Sequence, residues 1–379
     1  MKGAMGIIYT EKDDLSLREL TSQRSVAALP VAGRYRIVDF LLSNMVNSGV
    51  RNVGVITQKN YQSLMDHLGS GKEWDLHTRN NGLFILPPFI NGDKGGEYSG
   101  VLEALRANFD YLRRSRQEYV LVANGNAVYS ADFEPILRQH EESGADVTLM
   151  YSKGSAADQY LSTYQGYNHA YLNVDDNGKV TDIEVNPNAP SYDKLSMDVL
   201  VVKRTLLMHL VDQAYSSGLR DIYGELLRTQ IKTGMLDVRG FEYTGYYRRV
   251  ETVKGFYNLN MDILGSYYRS ALFNNERPVY TKERDEVPAI YGPNAKVKNS
   301  LIADGCVING TVENCVIFRG VHIGEGAVVK NAIIMQDGYI ENNVELDHVI
   351  FDKAVTMRAH CRLIGGPQYP IVIGKNVTL

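Results

Sequence analysis

The chain has 379 residues, 44% of them hydrophobic and 22% charged, with a formal net charge of −4. That length suits two domains, that balance predicts a packed globular protein rather than a disordered one, and the lack of a basic block gives no support for nucleic-acid binding. Cys306, Cys315 and Cys361 all fall late in the chain, the apolar start MKGAMGIIYT is short for a secretory signal, and no run approaches the roughly 20 apolar residues of a membrane span, which together predict reduced thiols, a cytoplasmic protein and no membrane partner.

The first two-thirds of the chain alternates short apolar runs with amphipathic stretches. Strands are predicted at Ala4–Tyr9, Val53–Thr57, Tyr119–Ala123 and Val147–Tyr151, and helices at Ile37–Asn47, Tyr61–His67, Val101–Leu112 and Phe133–Glu142. Val101, Leu102, Leu105, Phe109 and Leu112, for instance, recur at helical spacing. Such alternation predicts an α/β domain, Rossmann-like, with a mixed, mostly parallel sheet and helices on both faces. After the first strand a phosphate-binding loop would need glycine, because only a residue without Cβ lets backbone N–H groups close around a phosphate. The chain offers Thr10, Glu11, Lys12, Asp13 and Asp14 there, and the acidic side chains would repel a triphosphate.

Farther on, YLNVDDNGKVTDIEV reads as a hairpin turning at Asn177–Gly178. A strand at Val199–Val202, a helix at Thr205–Ser216, another from near Asp221, a strand at Phe241–Tyr247 and a helix at Thr252–Leu264 complete a domain over residues 1–265. Residues 266–289 carry little periodicity and contain Pro278 and Pro288, which marks them as a linker. Residues 290–379 contain the hexads IADGCV (302–307), IGEGAV (323–328), IENNVE (340–345) and IGKNVT (373–378). One aliphatic residue per hexad, with a small residue four places on, predicts a three-sided parallel β-helix: the aliphatic fills the interior and the small residue permits the tight turn.

GRYRIVDFLLSNMVNSG (33–49), TQKNYQSLMDHLGSGKEWDL (57–76) and the C-terminal hexads, in this order, resemble bacterial glucose-1-phosphate adenylyltransferase (ADP-glucose pyrophosphorylase). The resemblance covers most of the chain and implies a nucleotidyltransferase domain followed by a left-handed β-helix. An enzyme of this kind needs cations and backbone amides around a triphosphate, and carboxylates to hold Mg²⁺. On the family pattern the positions for these groups are degenerate here. Ser16 stands for the arginine after the glycine loop and Val26 for a lysine. Asn126 replaces one metal aspartate and Arg249 the other, while Asn186 replaces the sugar-phosphate lysine and Asp198 a glycine. The family's Gly-Thr-Ala-Asp-Ala motif becomes SGVLEAL, from Ser99 to Leu105.

No catalytic or metal-binding residue is therefore expected, and the eight histidines show no metal-ligand spacing. Gly33, Asp39, Asn44, Ser48 and Gly49 are expected to shape and pack a helix, Trp74 to be a packed aromatic, and His67 and His77 to be surface or packing residues. The chain resembles the second, GlgD-type subunit that some bacteria carry. That resemblance implies a regulatory subunit that raises the activity of a catalytic partner in a heterotetramer for glycogen biosynthesis, with Mg²⁺ held by the partner. It also implies an anionic effector bound between the domains, with Arg24, Arg36 and Arg319 as its contacts and Gln23 in place of a neighbouring lysine. A weakly active enzyme and a purely structural assembly subunit are the alternatives.

Overall fold

The computed structural model describes residues 3–10, 15–78, 81–88, 98–153 and 169–379; the Glu11–Asp14 stretch of the degenerate loop lies outside them. The N-terminal domain is built on a nine-stranded mixed sheet. Its parallel half runs Tyr119–Asn124, Ala4–Tyr9, Val53–Ile56, Leu83–Leu86, with Gly6 beside both Leu121 and Val53. The first three of these strands are buried on both faces, hence their continuous apolar runs, whereas Leu83–Leu86 is a partly exposed edge. Alternate side chains serve two cores. Met5 and Ile7 pack with Leu102, Leu105, Leu207 and Leu210, whereas Ala4 and Ile8 pack with Val38, Leu41 and Met45.

The helices at Ile37–Asn47 and Arg204–Ser216 and the hairpin strands Ala170–Val174 and Val180–Val185 lie close to their expected places. The expected Val101–Leu112 helix is two pieces, Val101–Ala107 and Phe109–Arg114. Asn108 divides them, because its side-chain amide donates to the Ala104 carbonyl (2.8 Å) in competition with the backbone. The Leu83–Leu86 edge strand carries no sequence signal strong enough to have been expected. Helix packing holds the residues read as structural: Asp39 accepts from the Arg36 N–H (2.9 Å), Asn44 donates to the Tyr129 carbonyl (2.9 Å), and Trp74 is buried.

Two local features position the cleft. The long strand Lys194–Lys203 pairs antiparallel with Tyr119–Asn124 on one side and with Val147–Lys153 on the other, and its register against Val147–Lys153 slips between Ser196 and Val199, where Asp198 takes a left-handed φ of 55°. A separate antiparallel ribbon pairs Ala127–Tyr129 with Tyr247–Arg249 and sets Arg249 opposite Ala127. The helix Val253–Asp262 starts at Thr252, whose hydroxyl accepts from the Gly255 N–H (3.0 Å).

The first seven residues of the expected linker form a helix, Ser266–Leu272, whose Leu272 is fully buried; the proline-bearing stretch follows it. From Ile290 the chain winds into a left-handed parallel β-helix with three five-stranded sheets. Coils are slightly shorter than three full hexads: Thr311 pairs with Val328 and Val328 with Glu345. The hexads work as expected inside, where Ile323 and Ile340 are buried. The turn residue is the fourth of each hexad rather than the fifth. Gly305, Gly326, Asn343 and Asn376 have φ of 74°, 70°, 57° and 62°. Glycine and asparagine tolerate that region best. The fifth residues Cys306, Ala327 and Val344 instead fill the interior.

One face of the β-helix is docked on the N-terminal domain. Val316, Ile333 and Ile350 share an apolar core with Leu29, Phe40 and Phe256. Polar ties frame it: the Tyr257 hydroxyl donates to the Asn331 carbonyl (2.7 Å), and Arg24 pairs with Asp352.

Candidate functional site

Ligands in open α/β sheets bind beyond the carboxyl ends of the strands. Here those ends lead to Thr10 and to Asn124, Gly125 and Asn126. The Val250 N–H donates to the Asn126 carbonyl (2.8 Å), which brings Arg249 to the same place. The Arg249 side chain is only 2% exposed. Its guanidinium lies 2.7 Å from an Asp198 carboxylate oxygen and 3.4 Å from Glu251. It also donates to the Tyr247 hydroxyl (2.7 Å) and the Ser196 carbonyl (2.9 Å). Behind it, Glu251 meets His169 Nε2 at 2.7 Å, and the His169 backbone N–H donates to the Asn186 side chain (2.8 Å).

The degenerate positions Asn126, Asn186, Arg249 and Asp198 thus lie together in one cleft, and the structure adds Glu251 and His169 to them. What it changes is the role of Arg249. Its charge is not presented to the cleft but is bound internally by two carboxylates. Burial works to lower the Arg249 pKa, but Asp198, Tyr247 and Glu251 more than reverse this and hold it well above its ordinary value. Burial pushes the Asp198 carboxyl up against the pull of Arg249, and contact at 2.7 Å with a cation that does not release its proton keeps the pair ionic.

These residues do not fit a Mg²⁺ ion. Mg²⁺ requires near-octahedral hard oxygens with negative charge among them. The nearby carboxylates are turned onto a guanidinium, and Asn126 is neutral. No cluster of three or more His, Cys, Asp or Glu residues suited to a metal occurs among the described residues. Of the other degenerate positions, Val26 is buried in the interdomain core with Leu17 and Leu29, and Ser16 lies on the turn Leu15–Leu20. Within SGVLEAL, Glu103 folds back to accept from the Ser99 N–H (2.7 Å) and hydroxyl (2.5 Å), occupying the start of its own helix.

The second feature is a pocket of about 90 Å³ between the domains. Its walls carry Arg34 and Arg36 from the N-terminal domain, Lys282 and Arg284 from the linker, and Arg319 and Lys353 from the β-helix; Asp66 is the single carboxylate among the lining residues. Arg36 is anchored by donating to the Ala28 carbonyl (3.0 Å) and the Ser63 hydroxyl (2.8 Å). Arg319 is 7% exposed, and its Nε and one terminal nitrogen have no hydrogen-bond partner among the described residues. Burial, then Arg34 and Arg284, lower its pKa. Burial and Arg24 push Arg36 down to about 10. Burial, with Arg36 and Arg24, pushes Lys353 down to about 7. His67, on the same wall, is lowered by burial despite its 2.6 Å contact with Asp39. Cations in this arrangement repel one another, and a bound anion would relieve the strain.

Of the three expected effector contacts, Arg36 and Arg319 line this pocket. Arg24 does not. It is buried against Asp352 and donates to the Leu20 carbonyl (3.0 Å), so its charge is already answered across the domain junction. Sequence reasoning missed Lys282, Arg284 and Lys353. The linker run TKERDE hinted at the first two, but Lys353 is brought in only by the coiling of the β-helix.

Fold and cleft together define a nucleotidyl transferase domain carrying a hexapeptide β-helix. A nucleotidyl transferase family model matches residues 16–265, and a model of the GlmU-like C-terminal hexapeptide region matches residues 287–366. The chain is 34% identical to the glycogen biosynthesis protein GlgD of Bacillus subtilis, over 98% of this chain and 96% of the relative. It is 36% identical to GlgD of Geobacillus stearothermophilus over 86% of this chain and 82% of that protein. To the glucose-1-phosphate adenylyltransferase of Clostridium perfringens strain 13 it is 30% identical, over 95% and 90% of the two chains. The chain belongs to the bacterial glucose-1-phosphate adenylyltransferase family and resembles its GlgD-type members. Among the described residues no helix is long and apolar enough to cross a membrane.

Proposed function

We propose that this chain is a catalytically inactive, regulatory subunit of glucose-1-phosphate adenylyltransferase, acting in glycogen biosynthesis by raising ADP-glucose formation in a catalytic partner. The observation that carries the reading is the internal ion-pair network of Arg249. Where the chemistry would need a carboxylate to hold Mg²⁺ against phosphate, a buried cation is bound by Asp198 and Glu251. Loss of charge stabilisation on that scale exceeds the roughly 2.7–4 kcal/mol associated with one stabilising donor. A weakly active enzyme would need metal ligands that this cluster does not offer.

The interdomain pocket favours regulation over a purely structural role. A buried Arg319 with unanswered nitrogens, facing other cations, is suited to an anionic metabolite. An anion seated there touches both domains and the linker, so it can favour one arrangement of them over another. A coupling of about 1–3 kcal/mol is enough to tune a partner. The partner is the catalytic subunit, in a hetero-oligomer that we take to be a tetramer. The test is to titrate this chain into the purified catalytic subunit and follow ADP-glucose formation. A saturable rise in rate, altered by anionic metabolites and lost in an Arg319→Met, Arg36→Met double variant, supports the reading. A catalytic subunit whose rate and effector response are unchanged at every ratio overturns it.

A further inference from the structure

We infer that anion capture in the interdomain pocket is coupled to protonation of Lys353, so that pH as well as ligand concentration sets its occupancy. The inference rests on the anion-site reading above and deepens it. Lys353 lies on the β-helix, half-buried, next to Asp352. Asp352 would be its natural counter-ion, but that carboxylate is committed elsewhere. One oxygen takes the Arg24 guanidinium and the other accepts from the Lys353 backbone N–H (2.7 Å). The Lys353 amine makes no ion pair among the described residues.

Cations dominate the lining of the pocket, with carboxylates set around it. The N-terminal domain contributes Arg24, Arg34, Arg36, Asp66 and His67; the linker contributes Lys282, Arg284 and Glu286; the β-helix contributes Arg319, Asp304 and Asp352, with Asp304 and Glu286 acting on Arg319. Asp66 is exposed, and its backbone carbonyl takes the Lys282 amine (2.7 Å). His67 is buried against Asp39 and lowered by burial, so it stays neutral above pH 7. The guanidinium groups cannot shed charge in the physiological range, and Lys353 is the group in the cluster that can. In the empty pocket its amine loses its proton near neutrality, because burial and then Arg36 and Arg24 push it down to about 7. An anion in the pocket reverses the sign of the local potential and returns the proton. Between pH 7 and the higher value of the filled pocket, binding therefore takes up a proton, and affinity falls as pH rises.

Sulfate is the probe, because it stays doubly charged across this range and cannot itself supply a proton linkage. Calorimetric titration in chloride-free buffers of different ionisation enthalpy, from pH 6.5 to 9, reads affinity and proton uptake together. The expected result is uptake approaching one proton per sulfate near pH 8, and affinity falling by up to about tenfold per pH unit above pH 7. Lys353→Arg should keep sulfate binding and lose both the slope and the uptake. Lys353→Met should bind more weakly and equally show no slope. Wild-type binding with flat affinity and no proton uptake between pH 7 and 9 overturns the coupling while leaving the anion site standing, as does a slope that survives in Lys353→Arg. Absence of sulfate binding, or binding untouched by Arg319→Met, overturns the anion site and the coupling with it.

Discussion

Replacing Arg249 by methionine is expected to destabilise the N-terminal domain by about 3–5 kcal/mol at pH 8, the range for removing one partner of a buried ion pair. The magnitude follows from what remains. Asp198 and Glu251 have side chains 3% and 0% exposed; among the described residues Asp198 would keep only a long side-chain hydrogen bond from Asn124 (3.4 Å), whereas Glu251 keeps its 2.7 Å contact with His169. Without the guanidinium, burial and the neighbouring Glu251 raise the folded-state Asp198 carboxyl pKa still further above its unfolded value. Such a group favours the folded state below the unfolded pKa, and that contribution is lost as pH rises through the folded pKa. The loss in Arg249→Met should therefore be smaller at pH 5 than at pH 8. An Asp198→Gly, Arg249→Met double variant removes the stranded charge and frees a position held at φ 55°. It should recover at least half of the loss. Urea unfolding followed by fluorescence suits the question, since Trp74 is the sole tryptophan and is 1% exposed. A single-variant loss under about 1 kcal/mol, equal at both pH values, would refute the reasoning.

Arg24→Ala should strand Asp352 at the domain junction, costing about 3–5 kcal/mol and exposing the linker to limited proteolysis. Arg319→Met should leave thermal stability unchanged or raised in sulfate-free buffer, because its guanidinium is buried with two nitrogens unpartnered among the described residues, yet abolish stabilisation by sulfate. His140 is pushed down to about 4 by burial and then Lys203, from an ordinary 6.5. Its stabilising contribution is present above pH 6.5 and lost as pH falls toward 4, an acid sensitivity of up to about 3 kcal/mol that should be absent in His140→Asn. Asn343→Val places a β-branched residue at φ 57° in the β-helix and should destabilise it by about 1–2 kcal/mol, while Asn343→Gly should be nearly neutral, both by thermal unfolding.

The two-domain plan was legible because its signals are local. The Ala4–Tyr9 strand and the Ile37–Asn47 helix read directly from apolar periodicity, and the hexads carry their turn residues with them. The misreadings came where tertiary context decides. Nothing in the run Val101–Leu112 marks Asn108 as a break until its amide finds the Ala104 carbonyl. Arg249 was legible as the loss of a metal aspartate and Asp198 as the loss of a glycine, but not as partners, because strands distant in sequence bring them together. Arg24 looked like a ligand contact because its counter-ion, Asp352, is 328 positions away. Lys353 was invisible for the same reason.

The most direct test of the central claim is ADP-glucose formation from ATP and glucose 1-phosphate with Mg²⁺, by this chain alone at high concentration and then with the catalytic subunit. The expected result is no turnover alone and a rate in the mixture above that of the catalytic subunit by itself. Sustained turnover by this chain alone, abolished by Asn126→Ala, would contradict the account and make the cleft around Arg249 a working active site.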